Sequence, residues 1–271
     1  GSDAQFFPQP PNSFSATAFG LRGLVWLLAP DSSLGFVIMG LVVVAVVIVV
    51  STATFHRRLT NEASRILLLV LLVGPIGGTL YTTIGQNDSL LILGSLIVAV
   101  SGKRMTVSAL GLAIMILANP EQTVVAWSVL LIMSFTPILR EWRRHASYGL
   151  VAALAGFLAI SVGVRAAGAG DKTQFLDDFL LQSVHNFASN LPLSLYALFG
   201  FSWPLVLVLV YSQGARTALV GALALVPAMV VTAVTVDQTR VLVGVTTMAA
   251  LTWMTSSLKK VDSGTFRLSI S

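Results

Sequence analysis

The chain has 271 residues, of which 55% are hydrophobic and only 10% are charged, and its mean hydropathy is +0.87. Because a soluble domain carries about 25% charged residues, this composition excludes a soluble globular protein. The net charge of +5 does not indicate nucleic acid as a partner, since the basic residues stand in short segments between apolar runs.

Apolar runs recur from residue 34 to residue 257 and predict an all-α fold, a polytopic transmembrane helical bundle. The unbroken aliphatic run from Leu41 to Val50 favours helices over the alternating strands of a closed barrel. We expect about nine spans. They are 34–53, 65–83, 89–101, 105–118, 122–138, 147–165, 193–211, 217–235 and 241–257.

Two further apolar segments are not expected to span the membrane. Residues 14–30 contain an Arg at position 22 and predict a helix in the outer interface, with Trp26 at headgroup depth. The loop 166–192 has apolar residues at helical spacing and predicts an amphipathic helix on the external surface. The predicted organisation is an external segment 1–33, a transmembrane bundle 34–257 and a cytoplasmic tail 258–271.

The charges alternate in sign from one inter-span segment to the next. By the positive-inside rule, the basic segments mark the cytoplasmic side. We therefore expect a multi-pass protein of the cell membrane, with its N-terminus outside and its C-terminus in the cytoplasm. His56 and His145 stand in basic segments and are expected to be lipid-facing charges. The basic segments contain Arg57, Arg58, Lys103, Arg104, Arg140, Arg143, Arg144, Arg216, Lys259 and Lys260.

Polar residues that apolar packing does not explain stand in four turns on the opposite, external side. Four turns on one side of a bundle can converge on a single cleft that meets both lipid headgroups and water. Arg240 is the strongest candidate for function, because a guanidinium binds phosphate oxygens bidentately. The candidate site residues are Gln86, Asp88, Glu121, His185, Asn190, Asp237 and Arg240.

Each candidate also has a structural interpretation. Asp88 is placed to cap the next helix, and Glu121 after Pro120 is a common helix start. Asp237 and Arg240 stand three residues apart and can form a local ion pair that holds the loop. His185 can be a plain surface residue of an amphipathic helix.

Several kinds of chemistry have no motif here. The sequence has no phosphate-binding glycine loop, no His-Glu-x-x-His pair and no Gly-x-Ser-x-Gly elbow. There are no cysteines, so thiolate metal sites are excluded, and we expect neither a metal nor a cofactor. No predicted span has an ionisable residue in its centre, which disfavours proton pumps and ion-coupled transporters.

Short motifs resemble the polyprenyl-phosphate-dependent glycosyltransferases of the GT-C superfamily, in particular glycosyltransferase family 87. The turn Gly85-Gln86-Asn87-Asp88 precedes a short apolar helix, and a small-residue helix then ends at Asn119-Pro120. The stretch Asn190-Leu-Pro-Leu-Ser194 is similar to an Asn-x-Ser-Leu segment of that family, and Phe7-Pro8-Gln9-Pro10-Pro11 to its aromatic-Pro-Pro stretch.

The resemblance implies a membrane glycosyltransferase that assembles a cell-envelope glycan at the outer leaflet. Its donor would be a polyprenyl-phosphate-linked sugar, and its acceptor a lipid-linked glycan. Asp88 would be the general base, and Arg240 would hold the donor phosphate. His185 and Gln86 would orient sugar hydroxyls.

The sequence departs from the family at two points. Members normally have a first span and an external catalytic aspartate ahead of the Pro-Pro stretch, and this sequence begins after that point; the family's Lys before the proline is Asn119 here. Three interpretations therefore stay open: a glycosyltransferase, a non-catalytic scaffold subunit of an envelope-polysaccharide complex with a partner membrane subunit, and a transporter or flippase of a lipid-linked solute.

Overall fold

A computed structural model describes residues 33–82, 87–102, 104–166, 173–235 and 237–262. These residues form helices and short turns, with no strand among them. The expected interfacial helix at 14–30 and the candidate Gln86 lie outside the described residues.

The described part of the chain contains twelve α-helices. They are α1 (Ser33–Arg58), α2 (Asn61–Val73), α3 (Pro75–Thr82), α4 (Asp88–Val100), α5 (Met105–Ala118), α6 (Pro120–Met133), α7 (Arg143–Ala166), α8 (Thr173–Ser189), α9 (Leu191–Phe199), α10 (Trp203–Gln213), α11 (Ala215–Ala233) and α12 (Gln238–Asp262). Short 3₁₀ turns at Arg140–Trp142 and Gly200–Ser202 precede α7 and α10.

The helices are those of a multi-pass membrane protein, but nine spans are not confirmed. Five helical segments are long and apolar enough to cross a bilayer, or six if the bent pair α2–α3 is one span. Helices α4, α5 and α6 have only 13, 14 and 14 residues. At 1.5 Å per residue each is about 20 Å long, against a hydrocarbon thickness of about 30 Å. Two of the predicted spans, 89–101 and 105–118, are themselves shorter than the roughly 20 residues of a perpendicular span, which also fits short helices buried by their neighbours or a re-entrant pair.

Two breaks in the helices follow from proline and glycine. Helices α2 and α3 meet at an angle of 44°, where Gly74 is extended and Pro75 cannot continue the helical hydrogen bonds. Gly200 has a φ of +51° and separates α9 from α10. The Trp203 indole N–H donates to the Leu195 carbonyl at 3.1 Å, which satisfies one carbonyl of the interrupted helix.

Helices α4 and α5 form a hairpin whose backbones touch. A Cβ on Gly94 would lie 2.6 Å from the Gly111 carbonyl oxygen, and a Cβ on Gly111 would lie 2.7 Å from that of Gly94. Only glycine allows this approach, in the manner of small-residue contacts between membrane helices. Gly149 of α7 likewise lies directly on the Trp127 ring of α6.

Helix α12 is the central element of the bundle. It packs against α4, α6 and α11, and 83% of its apolar stretch is buried, against 11% for the peripheral α7. Several of its hydroxyl groups donate within the helix: Thr247 donates to the Val243 carbonyl and Thr252 to the Met248 carbonyl, both at 2.7 Å. A helix rich in Thr and Ser is therefore compatible with the core.

Some helix boundaries differ from those that the sequence predicts. Helix α8 confirms a helix in the loop 166–192, with Ser183 and Phe187 buried one turn apart. Helix α12 continues to Asp262, into the expected tail, and α1 continues through His56 to Arg58. Cations in a last turn interact favourably with the helix dipole.

Candidate functional site

The first turns of α4 and α12 meet at one end of the bundle. Arg240 Nε lies 3.4 Å from Asp88 Oδ2, and Arg240 Nη2 lies 2.5 Å from Asp237 Oδ2. One guanidinium therefore contacts two carboxylates, one just before its own helix and one from a helix far away in the sequence. We call Asp88, Asp237 and Arg240 the acidic-end cluster.

The local sequence explains why this cluster forms where it does. Asp88 is the first residue of α4, where a carboxylate interacts favourably with the helix dipole. Asp237 precedes α12, and its carbonyl accepts a hydrogen bond from the Val241 amide at 3.0 Å. Arg240 stands in the first turn of α12, where a cation is unfavourable. The two carboxylates offset that cost.

The three side chains of the cluster are buried to different extents, and this difference affects the pKa of Asp88. The Asp88 side chain is 14% exposed, Arg240 29% and Asp237 60%. Asp88 lies outside the five or six candidate spans, and its burial raises the pKa of its carboxyl above the usual range. The charge of Arg240 and a hydrogen bond from the Asp88 backbone N–H lower that pKa, whereas the charge of Asp237 raises it. A carboxyl with a raised pKa is better matched to proton transfer near neutral pH.

Helices α6 and α8 also reach this end of the bundle. The Gln122 side-chain oxygen lies 3.4 Å from the position of a Cβ on Gly244, one turn below Arg240. The Gln238 amide donates to the Ser183 carbonyl of α8 at 2.7 Å. Helices α4, α6, α8 and α12 therefore come together at this end of the bundle.

Gln122, rather than Glu121, is directed toward the central helix. Glu121 is exposed, whereas the Gln122 oxygen is buried and has no hydrogen-bond partner among the described residues. Gln122 shares a helix face with the buried Ala126 and Val129. This i, i+4, i+7 spacing is the pattern in the sequence that could have identified it.

The remaining candidates are more peripheral. His185 and Asn190 are exposed, and no hydrogen bond or ion pair among the described residues joins either of them to the acidic-end cluster. The Asn190 amide donates to the Asn186 carbonyl at 2.9 Å, a local contact at the end of α8. Pro120 begins α6 as expected, and the Asn119 side chain accepts a hydrogen bond from the Gln122 amide at 3.1 Å.

At the opposite end of the bundle, the prediction that His145 is a lipid-facing charge is wrong. His145 is 6% exposed. Its Nε2 lies 2.7 Å from Ser108 Oγ, and its Nδ1 lies 3.1 Å from Met105 Sδ. The ring stands edge-on to Trp142, with 5.3 Å between centroids. His145, Gly149 and Ala153 are buried at intervals of four residues, a spacing that indicates an inward face.

The described residues contain no group of three or more His, Asp or Glu side chains that could hold a metal ion. What the acidic-end cluster offers is a partly buried carboxyl beside a guanidinium. Such a pair can accept a proton from a hydroxyl and stabilise a developing negative charge.

Comparison of the chain with protein-family models, with curated proteins and with solved structures finds no match in any of the three.

Proposed function

We propose that this protein is a membrane glycosyltransferase of the GT-C type, which uses a polyprenyl-phosphate sugar donor and acts at the acidic-end cluster. The observation that carries the proposal is the contact between Asp88 and Arg240, at 3.4 Å in a partly buried position. The resemblance around Gln86 and Asp88 also supports it, because the motif residue Asp88 is the one that contacts Arg240.

The proposed reaction uses the two groups in different roles. The acceptor hydroxyl attacks the anomeric carbon of the donor sugar while the bond from that carbon to the phosphate oxygen breaks. Asp88 accepts the hydroxyl proton as general base. Arg240 stabilises the negative charge on the leaving polyprenyl phosphate. Glu121, His185 and Asn190 would contact sugar hydroxyls around this centre. Gln86, two residues before Asp88 in the sequence, would also orient a sugar hydroxyl. Asp237 would orient Arg240.

The charges at the two ends of the bundle support an orientation for this reaction. Asp88, Glu121 and Asp237 lie at the end that contains the cluster. Arg58 lies at the other end, against Gly102, and Lys259 stands in the last turn of α12. By the positive-inside rule, the cluster would face the outer leaflet of the cell membrane, with the C-terminus in the cytoplasm.

The test is transfer by membranes that contain the protein, incubated with radiolabelled polyprenyl-phosphate hexoses and pentoses. Asp88→Asn keeps the shape of the side chain but cannot accept the proton. We expect transfer to fall by about 10²-fold or more. Glu62→Gln removes an exposed carboxylate of α2 and should leave transfer unchanged. Full activity of Asp88→Asn would exclude the proposed base.

One observation favours a second candidate, a non-catalytic scaffold subunit of an envelope-polysaccharide complex. Arg240 already contacts two carboxylates, which is also what a structural ion-pair network requires. In that case Asp88→Asn and Arg240→Gln would reduce co-purification with a partner membrane subunit, and no donor would be consumed by the purified protein.

A further inference from the structure

A lateral cavity opens on the side of the bundle formed by α10, α11 and α12. Its volume is about 250 Å³. The walls are apolar, with Leu207 at the rim 59% exposed. The lining includes Phe199, Trp203, Val206, Gly221, Ala249 and Trp253. Because the rim is itself part of the apolar outer surface, the cavity opens toward lipid.

The cavity extends over only part of the bundle's depth, and along α11 it begins at Thr217, next to Arg216. Along α10 it extends from Trp203 to Val210, and along α12 from Thr246 to Trp253. These stretches are each about 10 Å long at 1.5 Å per residue, about a third of a hydrocarbon layer about 30 Å thick. Toward the middle of the bundle, the Phe199 and Trp203 rings stand edge-on at 5.0 Å between centroids and bound the cavity.

The other end of the cavity is polar. The Gln213 amide donates to Ser257 Oγ at 2.9 Å, and the Gln213 oxygen accepts from the Trp253 indole N–H at 3.0 Å. This bridge joins the end of α10 to α12. Arg216 follows Gln213 by three residues and Lys259 follows Ser257 by two, and both side chains are exposed. Two cations therefore lie at the same end, just beyond the apolar walls.

We propose that this cavity binds one acyl chain of an anionic phospholipid, with the lipid phosphate at Arg216 and Lys259. The apolar walls match a hydrocarbon chain, and the cavity is long enough for part of one chain. The two cations match the charge of its headgroup, since basic residues near a membrane surface attract anionic lipids. The site lies at the end opposite Asp88 and Arg240 and goes beyond the transferase function, so it can be tested without any sugar donor.

Tryptophan quenching by brominated lipids provides the test, because Trp203 and Trp253 line the cavity. The protein is reconstituted in phosphatidylcholine vesicles that contain increasing fractions of brominated phosphatidylglycerol or brominated phosphatidylcholine. A Trp26→Phe background leaves Trp127 and Trp142 as the other tryptophans, and both are buried. We expect half-maximal quenching at a roughly ten-fold lower fraction of the anionic lipid.

Two variants, each with a control, test the acyl-chain contact and the headgroup contact separately. Gly221→Leu fills the cavity, and a Cβ there meets no atom within 4 Å, so the helix should fold. Gly163→Leu is the matched control, since its Cβ position on α7 is equally open. Gly221→Leu should abolish the preferential quenching and Gly163→Leu should retain it. Arg216→Gln with Lys259→Gln should remove the preference for the anionic lipid, whereas the exposed Arg144→Gln should not.

Two results would overturn the proposal. One is equal quenching of the unmodified protein by both brominated lipids, which is also expected if a second copy of the chain fills the cavity. The other is preferential quenching by the anionic lipid that persists in Gly221→Leu.

Discussion

Arg240 Nε lies 3.4 Å from Asp88 Oδ2, and this contact joins the first turn of the central helix α12 to the first turn of α4. Asp237, which contacts Nη2 of the same guanidinium, is 60% exposed. Arg240 therefore does more than hold its own loop, because it also pairs with the partly buried carboxylate of Asp88 at the start of α4.

Removal of the cation should affect both activity and stability. In Arg240→Gln, Asp88 stays partly buried without its nearest positive charge, and we expect a loss of about 1–3 kcal/mol in the free energy of unfolding. If the proposed function is right, transfer is also abolished. Thermal unfolding in detergent and the donor assay measure the two effects. Arg144→Gln, an exposed arginine of α7, is the control and should change neither.

The raised pKa of Asp88 predicts how stability depends on pH. Because burial raises this pKa, the folded protein binds the proton more tightly than the unfolded chain does. Stability should therefore increase as pH falls through the raised pKa and level off below the ordinary aspartate value, about 3.9. Transfer should decrease over the same range, because a protonated carboxyl cannot act as a base.

The variant Asp88→Asn isolates this effect. Unfolding temperatures measured from neutral pH down to about pH 4 should show a smaller rise in Asp88→Asn than in the unmodified protein. An identical pH profile in the two proteins would contradict the assignment.

The backbone contact between Gly94 and Gly111 predicts an unusually large effect for a single methyl group. In Gly94→Ala, the new Cβ would lie 2.6 Å from the Gly111 carbonyl oxygen, so α4 and α5 must separate. We expect destabilisation by about 1–3 kcal/mol. Gly163→Ala adds the same group to α7 where no atom lies within 4 Å, and it should stabilise by a few tenths to about 1 kcal/mol. Thermal unfolding distinguishes the two, and equal values would contradict the close packing.

His145 should behave as a buried structural residue. His145→Ala removes the ring between Ser108 and Trp142, and we expect a loss of about 2 kcal/mol or more from the lost hydrogen bond and the cavity. His56→Ala, at an exposed position in the last turn of α1, should change stability by no more than about 0.5 kcal/mol. A double-mutant cycle of His145→Ala with Ser108→Ala should give a coupling energy above about 0.5 kcal/mol.

Much of the candidate site was accessible from the sequence because its members stand at helix starts. Asp88 and Asp237 stand in turns that the charge pattern assigns to the same side, so the sequence allows them to meet but does not pair either of them with a particular partner on another helix. Gln122 and His145 were missed for a different reason. Each is polar and stands next to a conspicuous charged residue, and only its spacing to buried neighbours shows that it points inward.

The sequence by itself determined that this chain is an all-helical membrane protein, because its hydrophobic content and long apolar runs leave no other way to satisfy the backbone in lipid. It also determined which ends of the helices carry acids and which carry bases. The tertiary structure decided that α12, with its many hydroxyls, is the central helix rather than one of the outer ones. This depends on which helices pack together, because neighbours can bury a polar helix that hydropathy alone would treat like any other. The pairing of Asp88 with Arg240 is of the same kind, since it exists only because α4 packs against α12.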